Sequence, residues 1–382
     1  MTSKQLRAIA VALVLGTATA AAVVGFTATS AEAAVRASVG KPLQAALADA
    51  ASGNYSAAMA HIREAESVGG LTGEEQSTIS KMKDYIAVKS GGSVGVSNAV
   101  GARAKFAADW RARRYSDVVS DTDLLRKYGA MDTQSSVVVA QAYYMMHDYK
   151  SCIRITHESG NSVDVLELQA RCAFEIGDND SLRSAVEQLV ASTGKPQYWN
   201  QLLKLAETSK GLSDHQTLDI YRIKYLTGAV RGADDYFTLA QLDLQFGFAA
   251  EAQSVVEKGM QAKILVDNRA QRLLALAKSS YAGDLANLPK TIKAANAAKN
   301  GDALIKLGED YCGMGRFPDA ISAIQAGIAK GVSDPNNAQI RLGQALFGAG
   351  QKDAALKAFA KVTKPDNAEM TAHLWSLYVR GH

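Results

Sequence analysis

Leu304-Ile-Lys-Leu307-Gly308-Glu-Asp-Tyr311, followed by Gly315-Arg-Phe317-Pro-Asp-Ala320-Ile-Ser-Ala-Ile324, is the stretch that decides the fold. Its landmarks recur downstream as Leu342-Gly343, Leu346, Gly350, Ala355 and Phe359. Gly308 to Gly343, Gly315 to Gly350 and Ala320 to Ala355 are each 35 residues apart. Three landmarks on one spacing define a repeated unit of about 34 residues, a length that accommodates a pair of helices. The physics is local. Gly308 and Ala320 are small where two antiparallel helices approach closely, Tyr311 and Ile324 fill the space between them, and Gly315 ends the first helix.

The same register extends towards the N-terminus. Gly247 precedes Gly315 by 68 residues, close to two periods, in a unit with Leu239, Ala240, Ala252 and Val256. Gly53-Asn54-Tyr55, with Ala58 and Ile62, reads as another turn and second helix. Tyr115 and Tyr149 are 34 residues apart, each opening a second helix, and Gly177-Asp178 marks a further turn. Trp199, Leu202 and Leu203 open a unit after Pro196. Helix starts agree: Asp334-Pro335 places a capping Asp before a first-turn Pro, Pro196 and Pro318 also fall at starts, and Thr72 to Glu75 is a capping box. Asn268–Lys299 reads as two helices without the small-residue landmarks, a degenerate unit, and Asn367–Val379 as a final covering helix.

Composition points the same way. The apolar 47% is dominated by Ala, while β-branched and aromatic runs are scarce, Val137-Val138-Val139 excepted. With 382 residues the chain exceeds the roughly 250–300 at which one compact core stops growing, so it forms several domains or a solenoid.

On these motifs the chain resembles the tetratricopeptide repeat (TPR) family, whose unit carries the pattern W-x2-L-G-x2-Y, A-x3-F and P. From Tyr198-Trp199 through Asp235-Tyr236 and Gly247 to Ala252 it looks like a set of exported bacterial members without assigned activity, a resemblance covering most of Gln197–Leu377. The resemblance implies an all-α protein: a right-handed α-solenoid of TPR-like helix-turn-helix repeats, about eight to ten helix pairs. The organisation read from the sequence is a leader over 1–33, an N-terminal helical segment over 34–89, a Gly/Ser-rich linker over 90–97, an irregular solenoid over 98–300, and two clear units plus a capping helix over 301–382.

Lys4 and Arg7, the apolar run Ala8–Phe26 and the small-residue exit Ala31-Glu32-Ala33 predict a secretory signal peptide cleaved after Ala33. A retained anchor is the competing reading, against which Gly16, Thr17 and Thr19 dilute the run. The expected location is periplasmic or secreted. Of three cysteines, Cys152 and Cys172 lie on consecutive predicted helices. Two readings stand, a bridge between them or three small buried hydrophobes including Cys312.

Catalytic patterns lack their context. Gly91-Gly-Ser93-Val-Gly95 matches a nucleophile elbow, and Ser38/Lys41, Ser80/Lys83 and Ser192/Lys195 match S-x-x-K, but no sheet is predicted to carry either. His147 and His157 are conceivable partners for a metal but need further ligands. The densest basic spot is Lys105, Arg111, Arg113 and Arg114, in a chain of net charge +4 whose Lys and Arg are otherwise scattered; with no known nucleic-acid motif it reads as a solvated helix face. No cofactor, metal, nucleic acid or catalysis is therefore expected.

The resemblance implies a concave surface lined by first helices. The comparable places hold Leu43/Leu47, Arg103/Ala107, Val137/Gln141, Phe237/Gln241, Ile305/Glu309 and Ile340/Gln344, without the Lys and Asn carboxylate clamp of some members. An apolar residue followed by Gln occurs three times: Val137/Gln141, Phe237/Gln241 and Ile340/Gln344. Such a row suits an extended peptide, amides to its backbone and apolar side chains to its own. The expected function is a scaffold binding a protein or peptide partner; the alternatives are a self-associating structural protein and an enzyme with a groove-borne site.

Overall fold

The computed structural model describes residues 35–91, 96, 98–363 and 367–382. The expected leader, 1–33, lies outside these residues, as do 92–95 and 97 of the expected linker. The described residues form nineteen α-helices and no strand. They belong to two compact units, divided between Lys105 and Phe106. That division falls downstream of the expected linker, and the second unit runs unbroken across residue 300.

In the first unit, α1 (Ala37–Ala51) and α2 (Tyr55–Glu66) form a hairpin covered by α3 (Gly73–Lys89). Val39, Leu43, Ala46, Ile62, Ile79 and Ile86 build its core. The capping box at α3 is formed: the Glu75 amide donates to Thr72 Oγ1 (3.2 Å) and the Thr72 amide to Glu75 Oε2 (2.9 Å). Arg36 also donates to the Glu75 carboxylate (2.9 and 2.8 Å), fastening the start of α1 to the start of α3. That hydrogen bond, above all, pulls the Glu75 pKa down to about 2.

Helix α4 (Ala99–Arg111) contains the division. The second unit continues through α5 (Tyr115–Lys127), α6 (Thr133–Met145), α7 (Tyr149–Glu158), α8 (Val163–Ile176), α9 (Asn179–Thr193), α10 (Pro196–Glu207), α11 (Asp214–Leu226), α12 (Ala233–Gln245) and α13 (Ala249–Gln261). It ends with α14 (Asn268–Ala297), α15 (Asp302–Gly313), α16 (Phe317–Lys330), α17 (Pro335–Gly348), α18 (Lys352–Phe359) and α19 (Ala368–Gly381). Sequential helices pack as antiparallel hairpins, and first helices of neighbouring hairpins touch, α6 on α8 and α15 on α17. The architecture is thus an all-α solenoid of helix-turn-helix repeats.

One turn recurs. The amides of Asn54, Arg114, Asp148, Asp178, Phe248, Arg316 and Gln351 each bond the carbonyl five residues back, at 2.6 to 2.9 Å. In each, the preceding residue takes a left-handed backbone. This is a Schellman-type stop followed at once by the next helix. Glycine fills the left-handed place in five of the seven, but Arg113 (φ 60°) and His147 (φ 60°) fill the other two, which is why no glycine marks those turns in the sequence.

The close approach inferred at Gly308 and Gly343 is met. A Cβ on Gly308 would lie 2.3 Å from Ile324 Cγ1, and one on Gly343 2.4 Å from Phe359 Cε1. Ala320 and Ala355 are fully buried opposite them.

Two elements differ from expectation. Asn268–Ala297 is one helix of 30 residues, not two. Between Leu273 and Ala297 the sequence is rich in Ala, Leu and Lys, Gly283 keeps a helical backbone, and no turn residue adopts a left-handed conformation to reverse the chain. Pro289 removes one amide but does not stop the helix. Helix α19 does cover the last hairpin, packing on α17 and α18, but it also packs on α11 and α9. Asn367 Nδ2 donates to the Lys210 carbonyl (3.0 Å), His373 Nε2 lies 3.3 Å from Glu187 Oε2, and the rings of Tyr378 and Trp199 meet edge-to-face at 6.3 Å. Leu374, Trp375, Tyr378 and Val379 are all buried there, each contributing roughly 1.5–3 kcal/mol. The end of the repeat array is thereby closed onto its middle.

Candidate ligand-binding site

Closure of the array places charged side chains from five helices in its interior. On α11, Asp219 and Arg222 share a face at i,i+3 spacing; α12 contributes Asp243, α13 Glu251, α15 Glu309, and α17 both Arg341 and Gln344. Arg341, 1% exposed, donates through both terminal nitrogens to the two oxygens of Asp219 (2.7 Å each). Gln344 Nε2 donates to the same carboxylate (2.6 Å). Arg222 makes the second two-pronged pair, with Glu251 (2.9 and 2.6 Å), and its guanidinium lies 5.0 Å from the Phe248 ring centre. Paired, planar hydrogen bonding of this kind is what makes buried guanidinium–carboxylate contacts tolerable.

Two carboxylates remain over. Asp243 is fully buried, neither oxygen has a hydrogen-bond donor, and its nearest cation is Arg222 at 3.9 Å. Glu309 Oε1 sits 3.0 Å from Arg341 Nε, but that N–H is directed to Asn337 Oδ1 (3.0 Å), so Oε1 receives no hydrogen bond. Burial raises the pKa of Glu309, and that of Asp243 well above the carboxylate range. For Arg222, burial works against the charge, but Glu251, Asp243 and Asp219 outweigh it and hold the guanidinium above its ordinary pKa. Burial depresses nearby His215 to about 4, and its ring lies against Phe246 at 3.9 Å.

A cavity of about 260 Å³ adjoins this cluster, lined by residues of α11, α13, α15, α17, the start of α16 and α19. Arg222, Glu251, Glu309, Arg341 and Gln344 give it a polar side; Leu226, Val255, Phe317 and Trp375 give it an apolar one. The indole N–H of Trp375, itself buried, has no acceptor. Cys312 also lines it, its thiol pushed up to about 12 by burial and therefore protonated and unreactive. A larger opening of about 450 Å³ lies along the seam between α19 and α9–α10, where Glu187 and His373 already satisfy each other.

The six residues expected to form a peptide groove are not brought into one row. Phe237 and Ile340 are buried in two different core clusters, Phe237 beneath the Arg269 guanidinium at 4.0 Å. Side chains spent between helices are withheld from a ligand. Val137 and Gln141 are half-buried on α6, Gln241 is exposed on α12, and Gln344 lines the cavity with its amide engaged by Asp219 and Arg341. Glu309, from the same set of first-helix places, also lines it. The residues missed were Asp219, Arg222, Asp243, Glu251 and Arg341. Their signal was charge standing where helical periodicity calls for an apolar residue, as in Ile340-Arg341-Leu342 and Leu242-Asp243-Leu244.

Other expectations resolve locally. Cys152 and Cys172 form a disulfide joining α7 to α8, with Cα atoms 6.4 Å apart. His147 Nδ1 lies 2.7 Å from the Tyr149 hydroxyl and His157 Nε2 3.4 Å from Gln169, and among the described residues no group of three His, Cys, Asp or Glu forms a metal site. No helix among those residues is long and apolar enough to cross a membrane.

A second surface stands apart from the cavity. At the turn ends of α6 and α8, Met145, Met146, Phe174 and Ile176 are exposed, Phe174 by 70%. Arg171 of α8 stacks on Tyr144 of α6 at 5.7 Å, which holds the two ends together. Apolar side chains gathered in this way are unusual on a surface with no partner.

No protein family's model matches the chain, and neither does any curated protein. Among solved structures it is similar to a tetratricopeptide repeat protein from Parabacteroides merdae, 10% identical over 89% of this chain and 98% of that one, with a TM-score of 0.23. A thermophilic TPR protein of Thermus thermophilus is 14% identical over 65% and 99% respectively (TM-score 0.19). Yeast Tom70 is 10% identical over 90% and 95% (TM-score 0.20).

Proposed function

We propose that this chain is an exported scaffold without catalytic activity that binds a protein or peptide partner. The observation that carries the reading is the exposed apolar surface of Met145, Met146, Phe174 and Ile176 on a repeat array whose other large apolar side chains mostly lie inside. Repeat arrays present such surfaces on rigid helix ends, which lowers the ordering cost of binding. Export is supported by the leader pattern ending at Ala33 and by the Cys152–Cys172 bond, since disulfides persist in oxidising compartments. Absence of catalysis is the reading favoured by a protonated Cys312 and by Asp219 and Glu251 being engaged with Arg341 and Arg222.

The test places a photoreactive benzophenone residue at position 174, and for comparison at position 241, in the protein expressed in its own cells. The expected result is one identified adduct specific to position 174, with Phe174→Asp weakening the purified complex at least tenfold while the helical spectrum is unchanged. An adduct made only with a second copy of the chain would replace the partner reading by self-association. No adduct specific to position 174 would overturn the assignment of this surface. Mass spectrometry of the exported protein should find Ala34 at its N-terminus; an intact Met1 would count against the cleaved leader.

A further inference from the structure

We propose that the partner of the Met145, Met146, Phe174 and Ile176 surface is a protein segment of split charge, with bulky apolar side chains in its middle, Asp or Glu at one end and Lys or Arg at the other. The inference rests on the reading of that surface as a docking site and adds what the partner presents to it. Four apolar side chains select only for apolarity; the exposed charges that flank them select further. They belong to three successive hairpin turns, α4–α5, α6–α7 and α8–α9. On the first, Arg111 and Arg113 are exposed and pair with no carboxylate among the described residues. Arg111 Nε turns back to the Ala107 carbonyl of its own helix (3.1 Å), while Arg114 is spent on Asp109 and Asp117.

The third turn has the opposite sign. Glu175 and Asp180 are exposed there and pair with no cation among the described residues. Asp178 between them caps α9 at the Ser181 amide (3.1 Å), and its bonds to Ser181 hold its pKa down, so it too is ionised. Glu175 stands close to the apolar side chains. The Tyr149 phenol has its pKa raised, first by desolvation and then by the Glu175 carboxylate, and Tyr149 packs edge-to-face at 5.5 Å on Tyr144, the residue before Met145. Charge thus runs from positive at α4–α5 to negative at α8–α9, with Met145 and Met146 on the turn between. Uncompensated charges at the rim of an interface fix the register of a partner and repel wrong ones. A wholly acidic segment is repelled at the third turn and a wholly basic one at the first; a segment of split charge satisfies both. Touching helices lie roughly 8–10 Å apart, so three turns span about 20 Å. That is about six residues of extended chain or about thirteen of helix.

The test adds benzophenone residues at positions 111 and 180, one at a time, to the crosslinking at position 174, and sequences the adducts by mass spectrometry. All three positions should capture one partner chain. The position-111 adduct should fall beside Asp or Glu on one side of the position-174 adduct, and the position-180 adduct beside Lys or Arg on the other side. In the purified complex, Glu175→Lys with Asp180→Lys should weaken binding about tenfold or more at about 50 mM salt, and the difference should shrink at about 500 mM. Arg111→Glu with Arg113→Gly should act in the same direction, and Glu175→Gln with Asp180→Asn should weaken binding less than the reversal does. All four positions are exposed, and the helical spectrum confirms that each variant is folded. Adducts in the reverse order of charge, adducts in different partners, or an affinity unmoved by either charge change overturns the proposal while leaving the surface a docking site. An adduct with a second copy alone, or none at position 174, removes that reading and the inference with it.

Discussion

Substitution of Asp219 severs the contact that ties α17 to α11 across 122 residues of sequence. The carboxylate is fully buried and accepts three hydrogen bonds, two from Arg341 and one from Gln344. Removing one partner of a buried ion pair costs about 3–5 kcal/mol, because the remaining charge stays in a poorly solvating interior. Here Arg341 keeps Asn337 as an acceptor at 3.0 Å and Glu309 as a neighbouring carboxylate, so Asp219→Leu should fall near the lower end, about 3 kcal/mol. Arg341→Met strands Asp219 in turn, relieved in part by Arg222 at 3.8 Å, and should cost a similar amount. The double variant replaces both groups by apolar ones of comparable size and should lie within about 1–2 kcal/mol of the parent. Urea unfolding followed by far-ultraviolet circular dichroism gives all four corners of the cycle. Single losses that simply add in the double variant, or a loss below about 1 kcal/mol for Asp219→Leu, would refute the account of this pair as mutually dependent buried charges.

Replacing Cys152 and Cys172 with Ala opens a crosslink spanning 20 residues and should lower stability by about 3 kcal/mol, measured by the same urea titration without reductant. His373 has its pKa raised, first by its hydrogen bond to Glu187, so its contribution is complete below the ordinary imidazole pKa and is lost as pH rises through the elevated value. Hydrogen exchange of α19 should therefore be slower at about pH 6 than at about pH 8.5 after correction for intrinsic rates, and Glu187→Gln should remove that difference. Arg113 is exposed in a left-handed turn that costs a side-chain-bearing residue about 1–2 kcal/mol, so Arg113→Gly should raise stability by about 0.5–1 kcal/mol after the entropy cost of glycine; a lower urea midpoint would contradict it.

Much of the fold was legible in the sequence because the signals are short-ranged. Gly308 and Gly343 had to be small where hairpin helices touch, Gly315 and Gly350 had to take the left-handed turn, and Thr72 with Glu75 had to cap a helix. Each outcome depends on residues within about one hairpin, so spacing alone reveals it. The same reasoning failed at Asn268–Ala297, where the absence of repeat landmarks meant the absence of a turn; at Arg113 and His147, which adopt a glycine's conformation without being glycine, the turns were legible only from the spacing of Tyr115 and Tyr149. The expected groove fared less well. A position on a first helix does not say which side of that helix the neighbouring hairpins cover, and Phe237 and Ile340 lie on covered sides.

The amino-acid sequence by itself determined the helices, their pairing into hairpins and the repeated turn, since these follow from periodicity, capping and backbone preference over tens of residues. Only the tertiary structure decided that α19 returns to α9 and α11, that Asp219 meets Arg341, and that Glu309 and Trp375 line a shared cavity. The reason is physical: those contacts join segments more than a hundred residues apart in three of the four cases named (Asp219 to Arg341, and α19 to α9 and to α11). They depend on the small rotation between successive hairpins, summed along the array, and no local pattern encodes that sum.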